Sequence, residues 1–110
     1  MPFTALFIAH APGADPDKHR TVVDTGLYRL FTVVVRDQQQ ALAVCERMIA
    51  EEGIDSVLLC PGNNHEDVGG IAAAVGDQVS VSVARGDSRS MRVAAKAMEK
   101  AGWFAAQPRG

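Results

Sequence analysis

Short apolar runs alternate along this chain with stretches in which apolar residues return every three or four positions. Phe3–Ala9 is continuously apolar, the pattern of a strand covered on both faces. Tyr28–Val35 holds Thr32, Val33, Val34 and Val35 in succession, a β-branched run suited to a pleated strand. Ser56–Leu59 reads as a short buried strand. Val79, Val81 and Val83 alternate with Ser80 and Ser82, as expected of a strand at a sheet edge with one wetter face.

The helical stretches lie between these runs. Asp37 and Gln40 form a capping pair for a helix whose stripe is Ala41, Leu42, Cys45, Met48 and Ile49, and Gly53 supplies its stop. Asn63 or Asn64 caps a second helix with an inward face of Val68, Ile71, Ala72 and Val75, ended by Gly76. Asp87 or Ser88 caps a third, with Met91, Ala94, Ala95, Met98 and Ala101 on one side and Gly102 at its end. Between the first two strands, Asp15-Pro16 reads as an N-cap followed by a proline at the first helical position, which predicts a short helix from Pro16 to Asp24. The β-branched Thr21, Val22 and Val23 count against it.

The resulting order, β-(short α)-β-α-β-α-β-α, predicts an α/β fold with a mainly parallel four-stranded sheet and helices on its faces. If Pro12–Gly26 is a loop, the alternative is a ferredoxin-like α+β arrangement in which the first two strands pair antiparallel. Length allows one domain, over residues 1–104, with 105–110 as a frayed tail.

Composition narrows the function classes. A net charge of −2 lacks the basic surplus that phosphate neutralisation requires, so no nucleic-acid partner is expected. No apolar stretch approaches the ~18 residues of a spanning helix, and the first eight residues read as a strand and not a signal peptide. Cys45 and Cys60 are then free thiols, and the expected compartment is the cytoplasm. A core of alanine and valine with six aromatic residues makes burial of further surface in a homo-oligomer expected, and Trp103-Phe104 offers an anchor.

If the four runs are parallel, their carboxyl ends share one rim, where ligands of open α/β sheets bind. That rim collects the junctions His10–Pro16, Arg36-Asp37, Cys60–His65 and Arg85–Ser88. The Gly62-Asn63-Asn64 turn opens a helix, whose N-terminal N–H groups and dipole can hold a carboxylate or polarise a carbonyl. The acidic Glu66-Asp67 beside it argues against a phosphate. His19 and His10 are the candidate acid/base residues, with His65 on the same rim. The three do not show metal-ligand spacing, so no metal site is assigned. Cys60, near a helix N-terminus, is either a nucleophile served by His65 or a small apolar strand-end residue. Arg85 can clamp an anionic group, as can Arg20 or Arg36. Cys45 and Met48, Met91 and Met98 read as core.

The segment Ala11-Pro12-Gly13-Ala14-Asp15-Pro16-Asp17-Lys18-His19-Arg20 resembles the hallmark of a family of small bacterial proteins of unknown function. The glycine-containing turn after the third strand and the Val-x-Val-x-Val-x-Arg strand are similar too, so the resemblance spans about residues 3–102. It implies a compact α/β domain and singles out Asp15, His19 and Arg20, without supplying a reaction. The expected function is binding of a small polar, anionic or carbonyl-containing metabolite, with acid/base catalysis by His19 or His10. Asp15, Arg20, Cys60, Gly62, Asn63, Asn64, His65 and Arg85 are the expected ligand contacts. A non-catalytic ligand or metal module and an oligomeric partner-binding subunit are the alternatives. No cofactor is named by the sequence.

Overall fold

The computed structural model describes residues 1–106. In chain order the elements are β1 (Phe3–His10), β2 (Arg20–Asp24), β3 (Tyr28–Val35), α1 (Gln38–Glu52), β4 (Ser56–Leu59), α2 (His65–Val75), β5 (Ser80–Val83), α3 (Ser88–Lys100) and α4 (Trp103–Ala106). The four expected strands are parallel to one another, and the order across the sheet is β2-β3-β1-β4-β5. β5 lies at one edge, as its alternation predicts. The last helix is followed by α4, and 107–110 of the expected tail lie outside the described residues.

Two expectations are corrected. The sheet has five strands, because Arg20–Asp24 is a strand antiparallel to β3 and not the end of a helix. Thr21, Val22 and Val23 lose less side-chain freedom in a strand than in a helix, and here that preference prevails over the Asp15-Pro16 start signal. Asp15 instead closes a tight turn: its side-chain Oδ1 accepts from the Asp17 N–H at 3.0 Å and its carbonyl from the N–H groups of Lys18 and His19. The ferredoxin-like alternative does not arise, since β1 and β3 pair parallel from Phe3–Tyr28 to His10–Val35.

The second correction concerns the layers. The connections β3-α1-β4 and β4-α2-β5 advance in the same direction, so right-handed crossovers place α1 and α2 on one face. The core forms there, with Leu6, Ile8, Val33, Val35, Val57 and Leu59 of the sheet against Ala41, Val44, Cys45 and Met48 of α1 and Ile71 of α2. The β1-to-β3 connection runs the other way and would have laid its helix on the opposite face, but it holds β2 instead. Among the described residues, α1 and α2 therefore pack against one face, and α3 reaches the other only at its carboxyl corner. Asp37 caps α1 through the Gln40 N–H at 2.8 Å, and Asn64 caps α2 in a reciprocal box with Asp67. Gly53, at φ 68°, ends α1 in the left-handed region. Among the described residues no helix is long and apolar enough to cross a membrane.

Candidate active site at the β1 and β4 ends

β1 lies between β3 and β4, and the chain leaves it toward one neighbour and returns on the side of the other. The gap between the carboxyl ends of β1 and β4 is thus the point where the winding reverses, the position of the ligand crevice in open α/β sheets. His10 is the last residue of β1 and Cys60 directly follows β4. The Ile8–Leu59 register, carried on by a Cys60 N–H to Ile8 carbonyl hydrogen bond of 3.2 Å, brings the two ends level. Across the gap, Cys60 Sγ lies 3.7 Å from His10 Nδ1.

The surroundings shift both groups toward their charged forms. The hydrogen bond to Cys60 raises the His10 pKa above its ordinary 6.5, against partial burial, with the acids Asp67 and Asp37 adding to the rise. The same bond lowers the Cys60 thiol below its ordinary 9.0, against burial, and the backbone N–H groups of His10 and Gly62 assist. Asn63 Nδ2 donates to the Cys60 carbonyl at 3.1 Å and lies 3.6 Å from the sulfur. Cys45 has the opposite environment, since burial in α1 pushes its thiol up to about 11.

Beside the pair opens a cavity of about 620 Å³. Its floor is the strand rim, from Ala9–Ala11 to Cys60–Gly62, and its roof is α3, with Met91, Ala94, Ala95 and Met98, continued by Trp103 and Phe104 of α4. α3 is held to the rim at its start, where Gly86 fits so closely that an added Cβ would stand 2.9 Å from Met91 Sδ and 3.1 Å from Pro61 Cβ. The walls are mostly apolar; Arg36 brings a cation, and its guanidinium makes no ion pair among the described residues.

Of the residues expected from sequence, His10, Cys60 and Gly62 line this cavity, and Asn63 supports Cys60 from behind. The sulfur faces His10 and not His65, which is exposed at the start of α2. His19 is exposed in the β1–β2 connection, where its Nδ1 accepts the Asp15 N–H at 2.8 Å. Arg20 reaches Met48 Sδ of α1 at 3.5 Å. Asp15, His19 and Arg20 thus hold the turn together and against α1, and none of them lines the cavity. Asn64 is occupied as a helix cap. Arg85 points to solvent, its side chain 86% exposed, and pairs with Asp87 at 2.9 Å. The α3 methionines and Trp103 were legible as an apolar stripe and an aromatic pair; only their position above a cavity, and not in a core, separates the two readings.

The fold and site define a small α/β protein with a one-sided mixed sheet and a thiol–imidazole pair at its topological switch point. The chain belongs to a family of unknown function, DUF6506, whose model matches residues 3–99. No curated protein and no solved structure matches it.

Proposed function

We propose that this protein is an enzyme acting on a small carbonyl compound, with Cys60 as nucleophile and His10 as its acid/base partner. The observation that carries this reading is the 3.7 Å approach of Sγ to Nδ1 at the edge of the apolar cavity. A thiolate beside an imidazolium is a ready nucleophile, and the proton that made the imidazolium is available to a leaving group. The Cys60 thiolate attacks the carbonyl carbon of a thioester or activated ester, and a carbon–sulfur bond replaces the bond to the leaving group. The departing thiolate or alkoxide takes its proton from His10. The neutral imidazole then draws a proton from water, which hydrolyses the acyl–cysteine and restores the thiolate. The largely apolar walls suit an acyl chain of a few carbons, and Arg36 suits a carboxylate at its far end.

The test is acyl transfer from p-nitrophenyl esters and short acyl thioesters, followed by leaving-group release and intact-protein mass. The expected result is an acyl adduct on Cys60, lost in Cys60→Ser, with slower release in His10→Ala. General acid/base help of this kind is worth roughly 10²–10⁴ in rate. Release that continues unchanged in Cys60→Ser overturns the reading.

A further inference from the structure

The sheet has a second face. Alternate residues of all five strands point away from α1 and α2, and they belong to no part of the main core. Phe3 is 53% exposed, Val23 57%, Tyr28 38% and Leu58 36%, while Phe7 and Leu30 between them are half-buried. Phe3 and Tyr28 stack on each other at 5.8 Å, leaving their outer faces open. Parallel strands are found almost only where both faces are covered, because their apolar side chains point both ways. Here α3 reaches only the carboxyl corner, near Ala9 and Cys60.

We infer that this open face packs against the same face of a second copy of the chain. Three observations select that occupant. First, within the strands the face has no charged side chain: Arg20, Asp24, Arg29 and His10 register with the opposite face, and the charges of Cys60 and Arg36 lie past the strand ends, at the cavity. An uncharged face meets its own copy without like-charge repulsion and gives a partner of opposite charge nothing to recognise. Second, its polar groups within the strands are hydroxyls, with Thr21 and Thr32 on one side and the Ser56–Ser80 pair, bonded at 2.8 Å, on the other. A hydroxyl both donates and accepts, so this set is complementary to itself, as a twofold interface requires. Third, the size comes near the lower bound for a specific pair. Two strands of eight residues and three of four or five, at ~3.3 Å per residue and ~4.8 Å between strands, make a flat footprint of roughly 450 Å². Two copies bury about 900 Å² before side-chain relief is counted, close to the ~1,000 Å² expected of a specific interface. Ala9 and Cys60 end this same face, so the second copy borders the cavity.

Sedimentation equilibrium and light scattering test the inference. The 11.7 kDa chain is expected at twice that mass at micromolar concentration. Leu58→Lys and Val23→Lys place an unpaired ammonium in the interface while altering residues already exposed in the single copy. Each is expected to weaken association at least ~100-fold with unchanged far-UV circular dichroism. Val93→Lys, on the exposed side of α3, is expected to leave the dimer intact. Should Leu58→Lys lose its fold, Thr21→Lys on the edge strand gives the same reading. A monomeric wild type overturns the inference, whether or not it captures another protein. So does a dimer that the sheet variants leave unaffected.

Discussion

Alkylation of the two thiols by iodoacetamide in the folded protein should be strongly unequal. Cys45 is pushed up to about 11, and Cys60 lies below the ordinary 9.0, so at pH 7 the thiolate fraction of Cys60 exceeds that of Cys45 by more than ~100-fold. A thiolate of lower pKa is the weaker nucleophile, with a Brønsted slope of ~0.5, which returns about a factor of 10 and leaves at least ~10-fold from ionisation. Access adds far more. Cys45 is fully buried against the sheet, and exposing it requires an opening that approaches global unfolding, ~5 kcal/mol or more, a further factor above ~1,000. A native sample should therefore acquire one label, at Cys60, well before a second. His10→Ala removes the largest cause of the lowered thiol pKa, so the alkylation profile of Cys60 should move to higher pH and the rate at pH 7 should fall. Peptide mass spectrometry over a pH series reads both effects. Simultaneous labelling of the two cysteines, or superimposable profiles for wild type and His10→Ala, would refute the reasoning.

Two other consequences are measurable by urea unfolding. Asn64→Ala removes the acceptor for the Asp67 N–H at 2.8 Å and dissolves the reciprocal cap; it should cost about 1–2 kcal/mol with an unchanged slope, and a loss below ~0.3 kcal/mol would show that the cap contributes little. Cys60→Ser reports on the thiol's linkage to folding. Because the folded pKa is depressed, the thiolate's contribution is complete above the ordinary 9.0 and is lost as pH falls through the depressed value. His10, raised by the same bond, acts in the opposite sense: its contribution is complete below the ordinary 6.5 and is lost as pH rises through the raised value. The stability of wild type relative to Cys60→Ser should accordingly carry both slopes, and a difference that stays flat from about pH 5 to 10 would mean that neither group is shifted.

The elements that periodicity predicts are those whose burial decides their shape. The stripe Ala41, Val44, Cys45 and Met48 makes α1 because it covers Leu6, Ile8 and Val33, and the valine runs make strands for the reciprocal reason. The segment from Pro16 to Asp24 resists such reading because it is exposed throughout β2. With no core to impose a period, local preferences compete, and Asp15-Pro16 signals a helix start while Thr21–Val23 favours extension. That one segment also determines the layering. A helix there would have covered the second face, and nothing in the apolar pattern of β1 or β3 reveals that it is missing, since both strands are apolar on alternating sides either way.

The site divides along the same line. Strand direction alone gathers the junction residues at one rim, so a crevice near His10 and Cys60 follows from the alternation of elements. Which residues meet within it follows from register, and register is fixed by contacts between positions fifty residues apart, Ile8 opposite Leu59. A shift of one residue would turn Cys60 to the other face of the sheet and away from its present neighbours. Sequence proximity instead suggests His65, five positions on, but the Pro61-Gly62 turn and the Asn64 cap carry it to the exposed start of α2. The motif Asp15–Arg20 is equally rich in polar groups, and the partners of its acid, imidazole and guanidinium are a backbone N–H of the turn, the Asp15 N–H and a methionine sulfur. These bonds lock a connection that lacks a helix, and with β2 at the edge and no helix in this connection the second face of the sheet is left open.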